Sequence, residues 1–375
     1  MHYILEVDSE EVRTVSVALV VGQFRQNQES GDVLWFGGFV WRVEMPFRSN
    51  IRTLVVAFSL IGGVAPGHAA DVDDPPVKAT PKPAAPVPFF FVNDNRLTYA
   101  YMPNGTDPGV TASTAKQAYA FTHFDAWQYG TNLINLALYK SDHNDPAAPC
   151  APGGRVGCAG ASDFYGYIRS TFGFNQIFDT TAFTVGPLRN ISFEVGADAG
   201  VENNPLSPAK RSGVVGLLFA FDLPYKGFFN VSPLYYKETN HSAFLPAPSD
   251  GTLDFRGTWA LETNYYMDLG FLPQNMQFWS ISGRAAWYGP KGPGTSVPGT
   301  LDRKIEFNSE PIRLTLDASK AIWGAQYSHF VDVWVAYRYW KNKFGLDNNL
   351  SPSCIGANTG SCVESSVYTG VTVKF

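Results

Sequence analysis

The chain has 375 residues, with 28 Lys and Arg against 33 Asp and Glu and a formal net charge of −5. That balance carries no electrostatic footprint for nucleic acid, and no run reaches the roughly eighteen apolar residues of a membrane helix. Aromatic residues make up 15% and charged residues only 16%, a poor composition for a large soluble surface and a natural one for a transmembrane β-barrel, whose apolar residues are spread one in two along its strands.

Residues 1–44 do not resemble the start of an exported protein. From Met45 the pattern changes: Arg48 and Arg52 are followed by the apolar run Leu54–Val64 and by Gly67-His68-Ala69, small residues ahead of Ala70. This is the layout of a secretory signal peptide over 45–69, and residues 1–44 are expected to be an over-extended N-terminus. A buried strand or helix is the competing reading of Leu54–Val64. Residues 70–94 carry Pro75, Pro76, Pro81, Pro83, Pro86 and Pro88, which suits an extended periplasmic tether.

A barrel is expected over 95–375. Alternation places strands near 95–103, 117–127, 130–141, 163–176, 188–200, 210–222, 227–239, 254–268, 276–288, 309–320, 329–340 and 364–375. An even count of about twelve, all antiparallel and in a single chain, is what such barrels use. The connections sort by parity. The odd ones, 104–116, 142–162, 201–209, 240–253, 289–308 and 341–363, are mostly long and rich in Gly, Pro, Asn and Ser. Of the even ones, Gln128–Tyr129, Pro224–Lys226, Leu269–Asn275 and Ala321–Ser328 are tight, and 177–187 is longer than the pattern asks. A soluble sandwich has no reason to sort loops this way, whereas an outer-membrane barrel has long external loops and short periplasmic turns. Cys150 and Cys158 share one long loop and Cys354 and Cys362 another, at equal spacing. In an exported chain that predicts two local disulfides; no C-x-x-C pairing or neighbouring His favours zinc.

The closing strand puts Val367, Thr369, Val371, Val373 and Phe375 on one face and Ser366, Tyr368, Gly370, Thr372 and Lys374 on the other. The edge strand of a soluble sandwich would alternate too, but termini of soluble domains tend to be polar and frayed. Assigning the more apolar face of every strand to lipid turns Ile191, Phe193, Val195, Ile312, Leu314, Leu316, Val331, Val333 and Val335 outward. Inward then point Arg96 on the first strand, His123 and Asp125 on the second, Arg169 on the fourth, and Glu194 and Asp198 on the fifth. Arg256, Glu262, Asn264 and Tyr266 follow on the eighth, with Ser280, Ser282 and Arg284 on the ninth. Arg313 and Asp317 on the tenth and Asp332, Trp334, Arg338 and Trp340 on the eleventh complete the set. A charge on the lipid face costs about 2–4 kcal/mol near the midplane. These groups either neutralise one another and fill a narrow interior, or line a selective path in which Tyr266, Trp334 and Trp340 offer aromatic faces to a planar solute.

Residues 120–142 read AFTHFDAWQYGTNLINLALYKSD. This stretch resembles the Tsx-like family of nucleoside-specific channel-forming outer-membrane proteins, which carries a His-Phe-Asp-x-Trp-x-Tyr-Gly-x-Asn run. Phe164-Tyr165-Gly166, Phe183–Asn190 and the terminal Phe375 add to the likeness. The resemblance implies a monomeric twelve-stranded barrel with a narrow channel that passes nucleosides by diffusion, and assembly-machinery recognition through Phe375. The cysteine pairs, the Pro-rich tether, and Leu133 and Ile134 in place of phenylalanines depart from it. His123, Asp125, Trp127, Tyr129, Gly130 and Asn132 match the motif and serve either the channel or the hairpin, with Gly130 expected to lend the turn backbone freedom.

The expected function is thus a passive outer-membrane channel for small polar solutes, nucleosides foremost, with outer-membrane lipid and the solute as partners. No catalytic group, cofactor or metal is expected. The histidines after 70 are His123, His143, His241 and His329, none in a nucleophile motif. A general small-solute porin and a structural or receptor barrel with partner-binding outer loops are the alternatives.

Overall fold

Twelve antiparallel strands close into one ring. The computed structural model describes residues 88–150, 157–243, 250–292 and 304–375, with four short strands near the N-terminus. In the unit Met1–Lys82, Thr14–Val20 pairs with Val40–Pro46 and Gln23–Gln26 with Val33–Phe36. Most of the signal-peptide and tether segments lies outside the described residues.

The ring is built from β1 (Phe90–Gly105), β2 (Thr114–Trp127), β3 (Gly130–Ser141), β4 (Ser162–Gly173), β5 (Leu188–Glu202) and β6 (Ala209–Leu223). It continues through β7 (Gly227–His241), β8 (Thr258–Asp268), β9 (Trp279–Tyr288), β10 (Glu306–Asp317), β11 (Val331–Lys341) and β12 (Val363–Lys374). Each strand pairs with its sequence neighbour, and β12 returns to β1 with Thr369 opposite Tyr101 and Lys374 opposite Arg96. A three-residue strand, Thr252–Asp254, extends the ladder at the end of β7. Closure removes every free edge, so each strand's backbone polar groups find partners even where no water reaches.

β1 begins at Phe90, earlier than expected, and takes residues 90–94 from the tether. No proline lies between Pro88 and Pro103, and Phe89 stacks on Trp127 at 5.7 Å, which holds the entering chain to the wall. On the odd side the strands leave 106–113, 142–161, 203–208, 242–257, 289–305 and 342–362; on the even side, 128–129, 174–187, 224–226, 269–278 and 318–330. Three even connections are longer than a tight turn, two of them, 269–278 and 318–330, against expectation: 174–187 and 318–330 carry the helices Phe174–Ile177 and Ala318–Trp323, and 269–278 carries the 3-10 turn Gln274–Met276. We call the two rims the loop end and the hairpin end. Both disulfides, Cys150–Cys158 and Cys354–Cys362, sit at the loop end.

The outer face is apolar. Leu97, Tyr99, Tyr119, Leu136, Phe164, Val371 and Val373 form one continuous exposed patch across the β12–β1 seam. Aromatic rings bound it as in membrane barrels. Trp127, Phe172 and Phe193 run along the hairpin end, and Trp287, Phe307 and Tyr339 along the loop end.

Gly130 opens β3 with ordinary extended backbone rather than the left-handed turn conformation expected of it. A Cβ there would stand 1.7 Å from the Thr171 carbonyl oxygen, so close approach of β4 is what demands glycine. Gly130→Ala is expected to destabilise the barrel by about 2–3 kcal/mol, read as a lowered urea midpoint.

Candidate functional site

The inward positions, fixed by the pairing register, hold three tiers of charge. At the loop end, connections fold into the mouth. Lys291, from the connection after β9, sits with its Nζ 2.8 Å from Glu238 and 2.9 Å from Glu306. Burial opposes that charge, but the two carboxylates outweigh it and hold the lysine above its ordinary pKa. Trp340 donates its indole N–H to Glu306 at 3.0 Å. Lys343, from the last connection, pairs with Glu364 at 2.6 Å and donates to the Thr106 carbonyl; here burial wins and the ammonium lies below its usual pKa. Arg338 meets the other Glu364 oxygen at 2.8 Å.

The middle tier spans the interior. Arg169 on β4 reaches Glu262 on β8 through Nε (3.0 Å) and a terminal nitrogen (2.8 Å), and donates to Asp198 on β5 at 2.6 Å. Tyr288 donates to Glu262 and Ser212 to Asp198. Lys210 lies among the rings of Tyr165, Tyr236 and Tyr288, each 5.7–5.8 Å away. On the facing wall, Arg313 stacks 3.8 Å over Trp334, whose indole donates to Thr372. Trp334 is buried, so its face is already covered by the guanidinium rather than open to a solute. Glu194 is also buried, with one carboxylate oxygen unpartnered. By contrast Arg284 and Asn264, opposite each other across β8 and β9, point inward yet are exposed. Exposure inside the ring means open, wettable space at mid-depth.

At the hairpin end Asp94 takes Arg96 and Lys374, both at 2.7 Å. Asp317 caps the helix after β10, accepting from the backbone N–H groups of Lys320 and His329 and from Ser319 and Ser328. His329 bonds Asp332 through Nδ1 at 3.0 Å and meets the Tyr266 hydroxyl at 3.2 Å. Tyr266 donates in turn to Asp268. Asp317, His329 and Asp332 are close enough together to share a cation, but the four donors on Asp317 already occupy it. Ser280 is buried on the same face and Ser282 lies opposite Arg313.

The Asp332 carboxylate holds the His329 pKa above the ordinary histidine value, with burial opposing and Asp317 assisting. A raised folded pKa stabilises fully below the unfolded value of about 6.5 and is lost as pH rises through the folded value. The urea midpoint is therefore expected to fall between neutral and alkaline pH, and His329→Gln to flatten that part of the profile.

Three sequence assignments change. His123 and Asp125 lie opposite Asn95 and Asn93 on the outer face, because the inward set on β2 is Lys116, Ala118, Ala120, Thr122 and Phe124. They are tolerable there because they bond each other at 3.1 Å, with His123 also on Asn95 and Asp125 on Asn132. Arg256 belongs to the connection ahead of β8, where it is exposed and its backbone N–H donates to Gly292. The interior also holds groups that the alternation missed. Glu310 is inward and buried, paired with Arg313 at 2.7 Å, because a bulge around Pro311 lets positions three apart share a face. Pro311 was the available signal, since proline inside a strand marks bulges. Lys291 and Lys343 come from loops, which no strand pattern addresses.

No family model matches the chain, and no curated protein does. Among solved structures it is similar to the β domain of the Bordetella autotransporter BrkA, at 9% identity over 76% of this chain and 99% of that one, TM-score 0.32. It is similar also to the translocator domain of the autotransporter NalP from Neisseria meningitidis, at 9% identity, 76% and 87% coverage, TM-score 0.34. Pseudomonas aeruginosa OprD gives 10% identity, 76% and 94% coverage, TM-score 0.24. Overlaps this loose add nothing to what the strand pairing itself establishes.

Proposed function

We propose that the chain is a passive channel of the bacterial outer membrane, admitting small polar solutes through a narrow opening at mid-barrel, with nucleosides the leading class. The observation that carries this reading is the water-facing pair Arg284 and Asn264, inward and exposed while their inward neighbours are half-buried, as Glu262, Tyr266 and Ser282, or buried, as Ala286 and Glu310. A barrel filled only for stability would have no such gap. Membrane residence is supported by the apolar outer belt with its aromatic ends, and outer-membrane placement by the even ring and the sorting of loops by end. Phe375 at the end of the closing strand is the natural handle for the assembly machinery.

The nucleoside assignment rests on the likeness of residues 120–142 to the Tsx-like run. Since His123, Asp125 and Asn132 face outward, that run serves the wall, and selectivity falls to the inward tyrosines near Arg284. The inward-folded Lys291 and Lys343 favour a second reading, a plugged barrel whose external loops meet a partner.

Flux in proteoliposomes separates the two. Adenosine and uridine are expected to enter about tenfold faster than a sugar of similar size, the order of selectivity that stacking and a few hydrogen bonds supply. Equal entry would make the protein a general pore, and absence of entry would favour the plugged barrel.

A further inference from the structure

Charge accounting inside the ring leaves one arginine over. Asp198 and Glu262 take Arg169, Glu310 takes Arg313, Glu364 takes Arg338 and Asp94 takes Arg96. Arg284 makes no hydrogen bond or ion pair among the described residues, although it lies opposite Glu310 on the neighbouring strand. Glu310 is not free to serve it, because its two oxygens accept from Arg313 and from the Tyr368 hydroxyl.

Glu310, Tyr167, Tyr368 and Tyr139 lie within electrostatic reach of the Arg284 guanidinium, and Tyr139 and Tyr167 face inward, opposite Ala118 and Asn135. Among the described residues the hydroxyls of Tyr139 and Tyr167 likewise have no hydrogen-bond partner. These two tyrosines come from β3 and β4, nearly opposite β9 in the ring. So three unspent donors from two walls face one wettable space. A guanidinium is a permanently charged, planar fork that fits two oxygens of one group, and hydroxyls add neutral donors at its flanks.

We infer that mid-lumen is an oxyanion subsite, in which Arg284, flanked by the Tyr139 and Tyr167 hydroxyls, takes the carboxylate or phosphate group of a permeating solute. The subsite deepens the channel reading and rests on it for the solute's route. It also refines the substrate class: a planar solute bearing an acidic group outcompetes its neutral counterpart.

The full chain in detergent is titrated with inorganic phosphate and, separately, with acetate. Binding is followed by calorimetry and by the phosphorus line width, and KCl conductance is measured in planar bilayers. Saturable binding is expected, weakened about tenfold by Arg284→Gln and a few-fold by Tyr167→Phe. Arg284→Lys, which keeps the charge without the fork, should retain an intermediate affinity. Band shift on unheated gels reports whether each variant is folded. Response to phosphate alone would identify phosphate as the recognised group, and response to both anions a general oxyanion site. Unchanged affinity in folded Arg284→Gln, or no saturable binding by the wild type, overturns the subsite. Binding without any KCl conductance would uphold the subsite and remove the channel; conductance without binding would do the reverse.

Discussion

Replacing Arg169 with alanine is expected to cost the barrel about 3–5 kcal/mol and to raise its single-channel conductance. The side chain crosses from β4 over Gly196, where a Cβ would come within 2.7 Å of its Cδ, and ends in a two-point grip on Glu262. Its third contact, to Asp198, closes a triad with two acids to one base. Removing the base leaves two carboxylates in a poorly solvated interior with only Tyr288 and Ser212 as neutral donors. An uncompensated buried charge is where such losses come from, more than from the attraction itself. The conductance should rise because a strut across the lumen is gone. Glu262→Gln keeps shape and one acceptor and should cost less. Gly196→Ala, which displaces the arginine without deleting it, should move both readouts the same way. Urea unfolding in vesicles and bilayer recordings measure the two effects. A loss below about 1 kcal/mol with unchanged conductance would mean that the strut contributes nothing in the membrane.

The ring itself was legible because its cause is local and repeats. Each lipid-facing strand must hide its backbone and show apolar groups to one side, so alternation betrays strand after strand, and the hairpin Gln128–Tyr129 lands where the pattern puts it. Cysteines eight residues apart within one loop are placed to close locally, as both pairs do, and that too is visible in the spacing. The outward triplets on β5, β10 and β11 follow from the same rule.

What escaped was non-local. Alternation assumes an unbroken register, and the bulge at Pro311 breaks it, so the inward place of Glu310 cannot be read by counting back from Arg313. The role of Gly130 depends on where β4 passes, which one strand's sequence cannot tell. Arg169 was expected inward, but its grip on a strand four places round the ring depends on closure. Lys291 and Lys343 enter the mouth from long connections whose paths obey no period. At His123 and Asp125 the failure was different. The rule that charges turn inward is a statement about cost, and a hydrogen-bonded cluster can lower that cost enough to sit outside.

That cluster makes the last prediction. Along the outer face of β2, Trp127, Asp125, His123, Phe121 and Tyr119 succeed one another from the hairpin end, so the polar pair stands between aromatic rings, where the belt should be apolar. Asp125 is buried, accepting from Asn132 at 2.8 Å while His123 contacts it at 3.1 Å, and Ser170 extends the chain of bonds to β4. Asp125→Ala removes the shared acceptor and leaves an imidazole and an amide facing hydrocarbon. Each unmet group costs about 1–3 kcal/mol, so a loss of about 2–4 kcal/mol is expected from this one truncation. Replacing Asn95, His123, Asp125 and Asn132 together by valine or leucine should recover most of it, since no donor or acceptor is then left unpaired. The sign of that recovery is the informative part. In a water-exposed collar the single change would cost little and the fourfold change would expose new apolar surface and destabilise. Urea titration of folding into vesicles, followed by tryptophan fluorescence, distinguishes the two and fixes how deep the hairpin end of the wall sits in the bilayer.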